Sequence, residues 1–85
     1  MRILVVEDDE RIAAFLERAF SSQGHQVEIA ATGDDGLGLA RDEAVDLVVL
    51  DLSLPGLDGQ ALLRRIRQER TALPVLVLTR ARPHG

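Results

Sequence analysis

Four short apolar runs, Arg2–Val6, Gln26–Ala30, Leu47–Leu50 and Pro74–Leu78, alternate with three stretches whose apolar residues follow helical spacing. Strands that alternate with helices are joined by crossovers, and such crossovers build a parallel sheet with helices packed on its faces. Arg2–Val6 and Leu47–Leu50 are almost continuously apolar, as expected of strands covered on both sides. Gln26–Ala30 alternates instead, with Val27 and Ile29 sharing a side. Pro74 opens the fourth run, a position that need not donate to a ladder.

The first helical stretch, Glu10–Gln23, carries Ile12, Phe15, Leu16, Ala19 and Phe20 at helical spacing, with Gly24 as its C′ stop. The second, Gly33–Ala44, is capped by Thr32 and has Asp34 and Asp35 in its first turn. Gly36 and Gly38 weaken it, each by about 1 kcal/mol relative to alanine. The third, Gly59–Arg70, turns Ala61, Leu62, Leu63 and Ile66 inward, with Asp58 as N-cap. Its Arg64, Arg65, Arg67 and Arg70 read as a solvated face. The expected architecture is a single α/β domain in the order β-α-β-α-β-α-β.

Composition narrows the setting. The chain has 85 residues, of which 46% are hydrophobic, enough for a globular core. It has no cysteine, which excludes disulfides and thiolate metal sites and fits a reducing compartment. No apolar run is long enough to span a bilayer, and Met1–Val6 lacks a signal peptide's long apolar region and cleavage site. A cytoplasmic location without a membrane partner is therefore expected. The net charge of −4 argues against direct nucleic-acid binding by this segment, and the lack of Trp and Tyr removes stacking platforms for bases.

The residues that carry chemistry sit where strands end. Glu7-Asp8-Asp9 follows the first run, and Asp51 follows the third and opens the turn Leu52-Ser53-Leu54-Pro55-Gly56. If these strands are parallel neighbours, Glu7, Asp8 and Asp51 converge at the edge where open α/β sheets bind ligands. Two carboxylates about 4 Å apart repel by roughly 4 kcal/mol at an effective dielectric near 20, so three need a proton or a cation among them. Magnesium suits such a set: it takes hard oxygen ligands, keeps several waters and works with phosphates. The backbone carbonyl of Ser53 can add a ligand. An aspartate beside the cation is a nucleophile toward a phosphoryl group. Thr79, just after the fourth run, can donate its hydroxyl to a phosphoryl oxygen. Asp9 reads as the N-cap of the first helix, Asp46 lies at the wrong end of its strand, and His25 and His84 lack ligand spacing.

Three segments together, Ile3–Asp9, Asp46–Gly59 and Pro74–Thr79, resemble the receiver domain of two-component response regulators. The turn Leu54-Pro55-Gly56-Leu57-Asp58-Gly59 is most similar to receivers of winged-helix transcription regulators. The resemblance implies a flavodoxin-like (CheY-like) doubly wound parallel sheet of order 2-1-3-4-5, an order taken from the family. It implies that Asp51 is the phosphoacceptor and Thr79 the switch hydroxyl. It also implies Mg2+ held by Asp8, Asp51 and the Ser53 carbonyl, with Glu7 acting through water. The phosphodonor would be a sensor histidine kinase, or a small donor such as acetyl phosphate. The chain would be a phosphoacceptor module rather than an enzyme, and its parent a DNA-binding transcriptional regulator.

The chain also departs from the family. A complete receiver has five βα units, and residues 1–79 read as a partial receiver lacking the fourth helix, fifth strand and fifth helix, with 80–85 a tail. All ten basic residues are arginine, so the family's lysine has no counterpart, and Arg80 follows Thr79 where a small residue is usual. An open fourth-strand edge is a hazard, and it predicts a homodimer through that edge or by element exchange. Two competing readings follow. One is a haloacid-dehalogenase-type phosphatase, which needs a second acid where Ser53 stands. The other is an inert or self-associating fragment that takes no phosphoryl group.

Overall fold

The computed structural model describes residues 1–54 and 59–78. Its elements are β1 (Arg2–Val6), α1 (Glu10–Ser21), β2 (Gln26–Ala30), α2 (Gly33–Ala40), β3 (Leu47–Asp51), α3 (Gly59–Glu69) and β4 (Val75–Leu78). All strand pairs are parallel, in the order β2-β1-β3-β4. That is the expected alternation and the expected order, as far as four strands carry it. Among the described residues, no helix is long and apolar enough to cross a membrane.

The pleat sorts the central strands. Ile3, Val5 and Val49 point to one face, where Leu16 and Phe20 of α1 cover them. Leu4, Val6, Val48 and Leu50 point to the other, into a larger cluster with Ala40, Leu62 and Ile66 from α2 and α3. Both faces of β1 and β3 are therefore buried, which is what their unbroken apolar runs predict.

The helix ends are set locally. Asp9 caps α1, accepting from the N–H groups of Arg11 at 2.9 Å and Ile12 at 3.3 Å. Gly24, at φ 88°, closes the other end: the His25 N–H reaches the Phe20 carbonyl at 3.2 Å and the Gly24 N–H reaches Ser21 at 3.0 Å. Thr32 caps α2 by accepting from the Asp35 N–H at 3.2 Å. The predicted cap Asp58 lies outside the described residues.

Three expectations need correction. Phe15, expected among the helically spaced core positions, is 62% exposed, and Ala19 is exposed too; Ala13 is the buried residue of α1. The helix is rotated so that Leu16 and Phe20 pack against the sheet, with Ile12 half-buried. The second helix stops at Ala40 rather than Ala44. Asp42 takes the Ala44 N–H into a side-chain turn at 2.9 Å, which competes with helical continuation. Arg70 is not part of a solvated face: its Nη1 donates to the carbonyls of Ala40, Asp42 and Val45 at 3.3, 2.9 and 3.1 Å. It thereby satisfies the Ala40 carbonyl at the end of α2 and ties down the loop that follows through Asp42 and Val45. Arg64, Arg65 and Arg67 are exposed as expected.

Arg41 reinforces the same junction, donating from Nε and Nη2 to the two Glu69 oxygens at 2.8 and 3.3 Å. This hydrogen bond holds the Glu69 carboxyl below its ordinary value, against a smaller opposing effect of burial. The contact is thus fully present at neutral pH and is lost as pH falls through the lowered value.

Candidate functional site

Register places the acids. Val6 of β1 pairs with Leu50 of β3, so the next residues, Glu7 and Asp51, stand side by side at the sheet's C-terminal edge. The Glu7 N–H donates to the Ala30 carbonyl at 3.0 Å, carrying the β1–β2 ladder one step further and fixing the backbone under its side chain. Asp51 is the last residue of β3 and pairs in register with Leu78 of β4.

One ligand oxygen from each of Glu7, Asp8 and Asp51 lies within 4.8 Å of the others. Glu7 and Asp51 are buried, at 2% and 1% exposure, whereas Asp8 is exposed and marks the mouth of the site. Two short hydrogen bonds orient the buried pair. The Asp9 N–H donates to Glu7 Oε1 at 3.0 Å, and the Ser53 N–H donates to Asp51 Oδ1 at 2.9 Å. At this spacing each ionised pair repels by roughly 3–4 kcal/mol at an effective dielectric near 20. Two buried hard-oxygen donors with a third at the surface make a donor set that fits Mg2+.

The sequence-predicted residues divide cleanly. Glu7, Asp8 and Asp51 come together, and Ser53 sits on the adjoining turn, tied to Asp51 through its N–H. Asp9 is the helix cap it was expected to be. Asp46 lies at the other end of β3 and accepts the Arg2 N–H at 2.7 Å. His25 Nδ1 meets the Met1 ammonium at 3.0 Å, far from the acids. Thr79 lies outside the described residues; its predecessor Leu78 is the residue paired with Asp51. Sequence reasoning overlooked Gly59, which packs against the backbone of Leu52 within the Asp51–Ser53 turn. A glycine where the third helix begins, shortly after the turn that follows Asp51, was the available signal, since glycine is the residue that permits close backbone approach.

Residues 3–84 match the family described as the response regulator receiver domain. The chain belongs to that family. Among curated relatives, it is 48% identical over 77 residues to the transcriptional regulatory protein AfsQ1 of Streptomyces coelicolor, covering 91% of this chain and 34% of the relative. It thus spans about a third of that relative's length. Among solved structures, the non-phosphorylated HemR receiver domain from Leptospira biflexa matches with a TM-score of 0.86 at 42% identity, covering 92% of this chain and 63% of that one. The response regulator TrrA from Thermotoga maritima, in complex with Mg2+-BeF, matches with a TM-score of 0.87 at 31% identity, covering 92% and 68%. TrrA is also matched in its complex with the histidine kinase ThkA, with a TM-score of 0.85. The receiver domain is thereby a signalling domain of two-component systems, and its fold is the incomplete CheY-like sheet described above.

Proposed function

We propose that this receiver accepts a phosphoryl group on Asp51 from a phosphohistidine of a sensor histidine kinase, in the cytoplasm, as part of a DNA-binding transcriptional regulator. The observation that carries the proposal is the convergence of Glu7, Asp8 and Asp51 within 4.8 Å at the C-terminal edge of the sheet. Asp8, Asp51 and the Ser53 carbonyl would hold Mg2+ directly, with Glu7 acting through water. A bound Mg2+ would neutralise charge on the carboxylates and on the phosphoryl oxygens.

The chain's own residues supply the rest. Asp51 is the nucleophile: a carboxylate oxygen forms the new P–O bond as the P–N bond to the donor imidazole breaks and the imidazole leaves with the electron pair. The Ser53 N–H on Oδ1 fixes the plane of the carboxylate before the donor arrives. Burial of Asp51 keeps bulk water from the resulting acyl phosphate, and exposed Asp8 leaves approach open from one side. Thr79 would donate its hydroxyl to a phosphoryl oxygen.

Incubation with Mg2+ and acetyl phosphate, followed by intact mass, tests the reading. The expected result is one added phosphoryl group per chain, dependent on Mg2+ and mapping to Asp51. An unlabelled chain overturns it and favours an inert module, a reading that the absence of any lysine supports.

Self-association through β4 is a second part of the proposal, with another copy of this chain as partner. Among the described residues β4 pairs only with β3, and its Leu76 is 52% exposed. Sedimentation velocity over a concentration series is expected to show a monomer–dimer equilibrium; a monomer throughout overturns it.

A further inference from the structure

We propose that Gly59 is a positioning residue for the metal-binding turn, and that it sets the site's preference for a small, rigidly octahedral cation. The inference rests on the reading that Glu7, Asp8, Asp51 and Ser53 hold Mg2+. Gly59 is the first residue of α3 and is buried. A Cβ at this position would lie 2.6 Å from Leu52 Cα, 2.7 Å from Leu52 O and 2.9 Å from Leu52 C. All three atoms are backbone, so no rotamer change relieves the overlap. Ordinary contact begins near 3.4 Å, so either α3 or the turn must retreat by about 0.8 Å.

Leu52 cannot move without moving the site. It stands between Asp51, the proposed phosphoacceptor, and Ser53, whose N–H holds Asp51 Oδ1 at 2.9 Å and whose carbonyl is a proposed ligand. Its N–H is directed at the Leu78 carbonyl at 3.4 Å, and the turn is pinned beyond Ser53 by Leu54, which is buried in the larger core cluster. Gly36 shows the contrast: a Cβ there would meet the side chain of Val6 at 2.9 Å, and no backbone of the site. Gly59 brings a helix against the strand-end backbone that carries the ligands, whereas a Cβ at Gly24 or Gly38 would meet nothing within 4 Å.

Cation chemistry gives this role a signature. Mg2+ demands near-ideal octahedral geometry at about 2.0–2.1 Å, whereas Ca2+ accepts looser geometry at about 2.3–2.6 Å. Displacing one ligand by several tenths of an ångström must therefore penalise Mg2+ far more than Ca2+. A mere loss of stability would penalise both alike.

The experiment measures the affinities of the parent chain, Gly59→Ala and Ile66→Val for Mg2+ and Ca2+ by calorimetry. Ile66→Val removes buried volume from α3 two turns beyond Gly59 and controls for destabilisation. Gly59→Ala is expected to weaken Mg2+ binding by about tenfold or more, with Ca2+ changed by less than about threefold. Ile66→Val should leave both affinities at the parent values while lowering the melting temperature. If Gly59→Ala is partly unfolded, the same discrimination is read from how far each ion raises its melting temperature relative to the parent. Equal losses for the two ions, or no loss, overturn the positioning role. A parent chain that binds no Mg2+ overturns the site reading itself, and the positioning role with it.

Discussion

Asp51→Asn is expected to make the metal-free protein more stable, and to abolish both its stabilisation by Mg2+ and its phosphoryl uptake. The Asp51 carboxylate is 1% exposed and has two other carboxylates within 4.8 Å. An amide keeps the shape and keeps an oxygen to accept the Ser53 N–H, so the turn is retained. What it removes is a buried negative charge and its repulsion with Glu7 and Asp8. Solvent screening reduces the pairwise repulsion, leaving an expected gain of about 1–3 kcal/mol. For a domain of this size that is on the order of 5–20 °C in melting temperature. Added Mg2+ should raise the parent's melting temperature and leave the variant's nearly unchanged. Thermal melts of both proteins, with EDTA and with Mg2+, decide the matter. A metal-free variant less stable than the parent would mean that the charge of Asp51 is compensated within the protein and that no cation is required.

The residues that bring the acids together were visible in the sequence because they obey local rules. Continuous apolar runs fix β1 and β3 as central strands, and an acid directly after each run lands on the same edge once the strands are parallel neighbours. Asp9, Thr32 and Gly24 are equally local, each acting on backbone groups within a few residues. What escaped the sequence is what depends on distant partners. The early end of α2 is secured by Arg70, whose carbonyl acceptors lie 25 to 30 residues earlier in the chain. Phe15 shares its helical stripe with core residues, and helical spacing alone cannot say which flank of the stripe the sheet covers. Gly59 matters through a backbone approach to Leu52 that no periodicity encodes.

Leu62→Ala and Leu76→Ala, the same chemical change at two sites, are expected to differ severalfold in their cost to stability. Leu62 is 0% exposed and lies in the cluster that joins α3 to Leu4, Val6 and Leu50. Its truncation removes transfer energy and leaves a cavity between rigid strands, at a cost of about 2–5 kcal/mol. An 85-residue domain has a total stability of roughly 4–13 kcal/mol, so this loss consumes a large share and can leave the chain mostly unfolded at 37 °C. Leu76, on the edge strand β4 and 52% exposed, packs too little for its truncation to cost more than about 1 kcal/mol in an isolated chain. Urea unfolding at low protein concentration measures both. If Leu62→Ala unfolds with the parent's midpoint, the packing of α3 on the sheet is not what holds the fold. Repeating the measurement at high concentration extends the test to self-association. Burial of Leu76 against a second copy raises the parent's stability with concentration, whereas Leu76→Ala loses that rise.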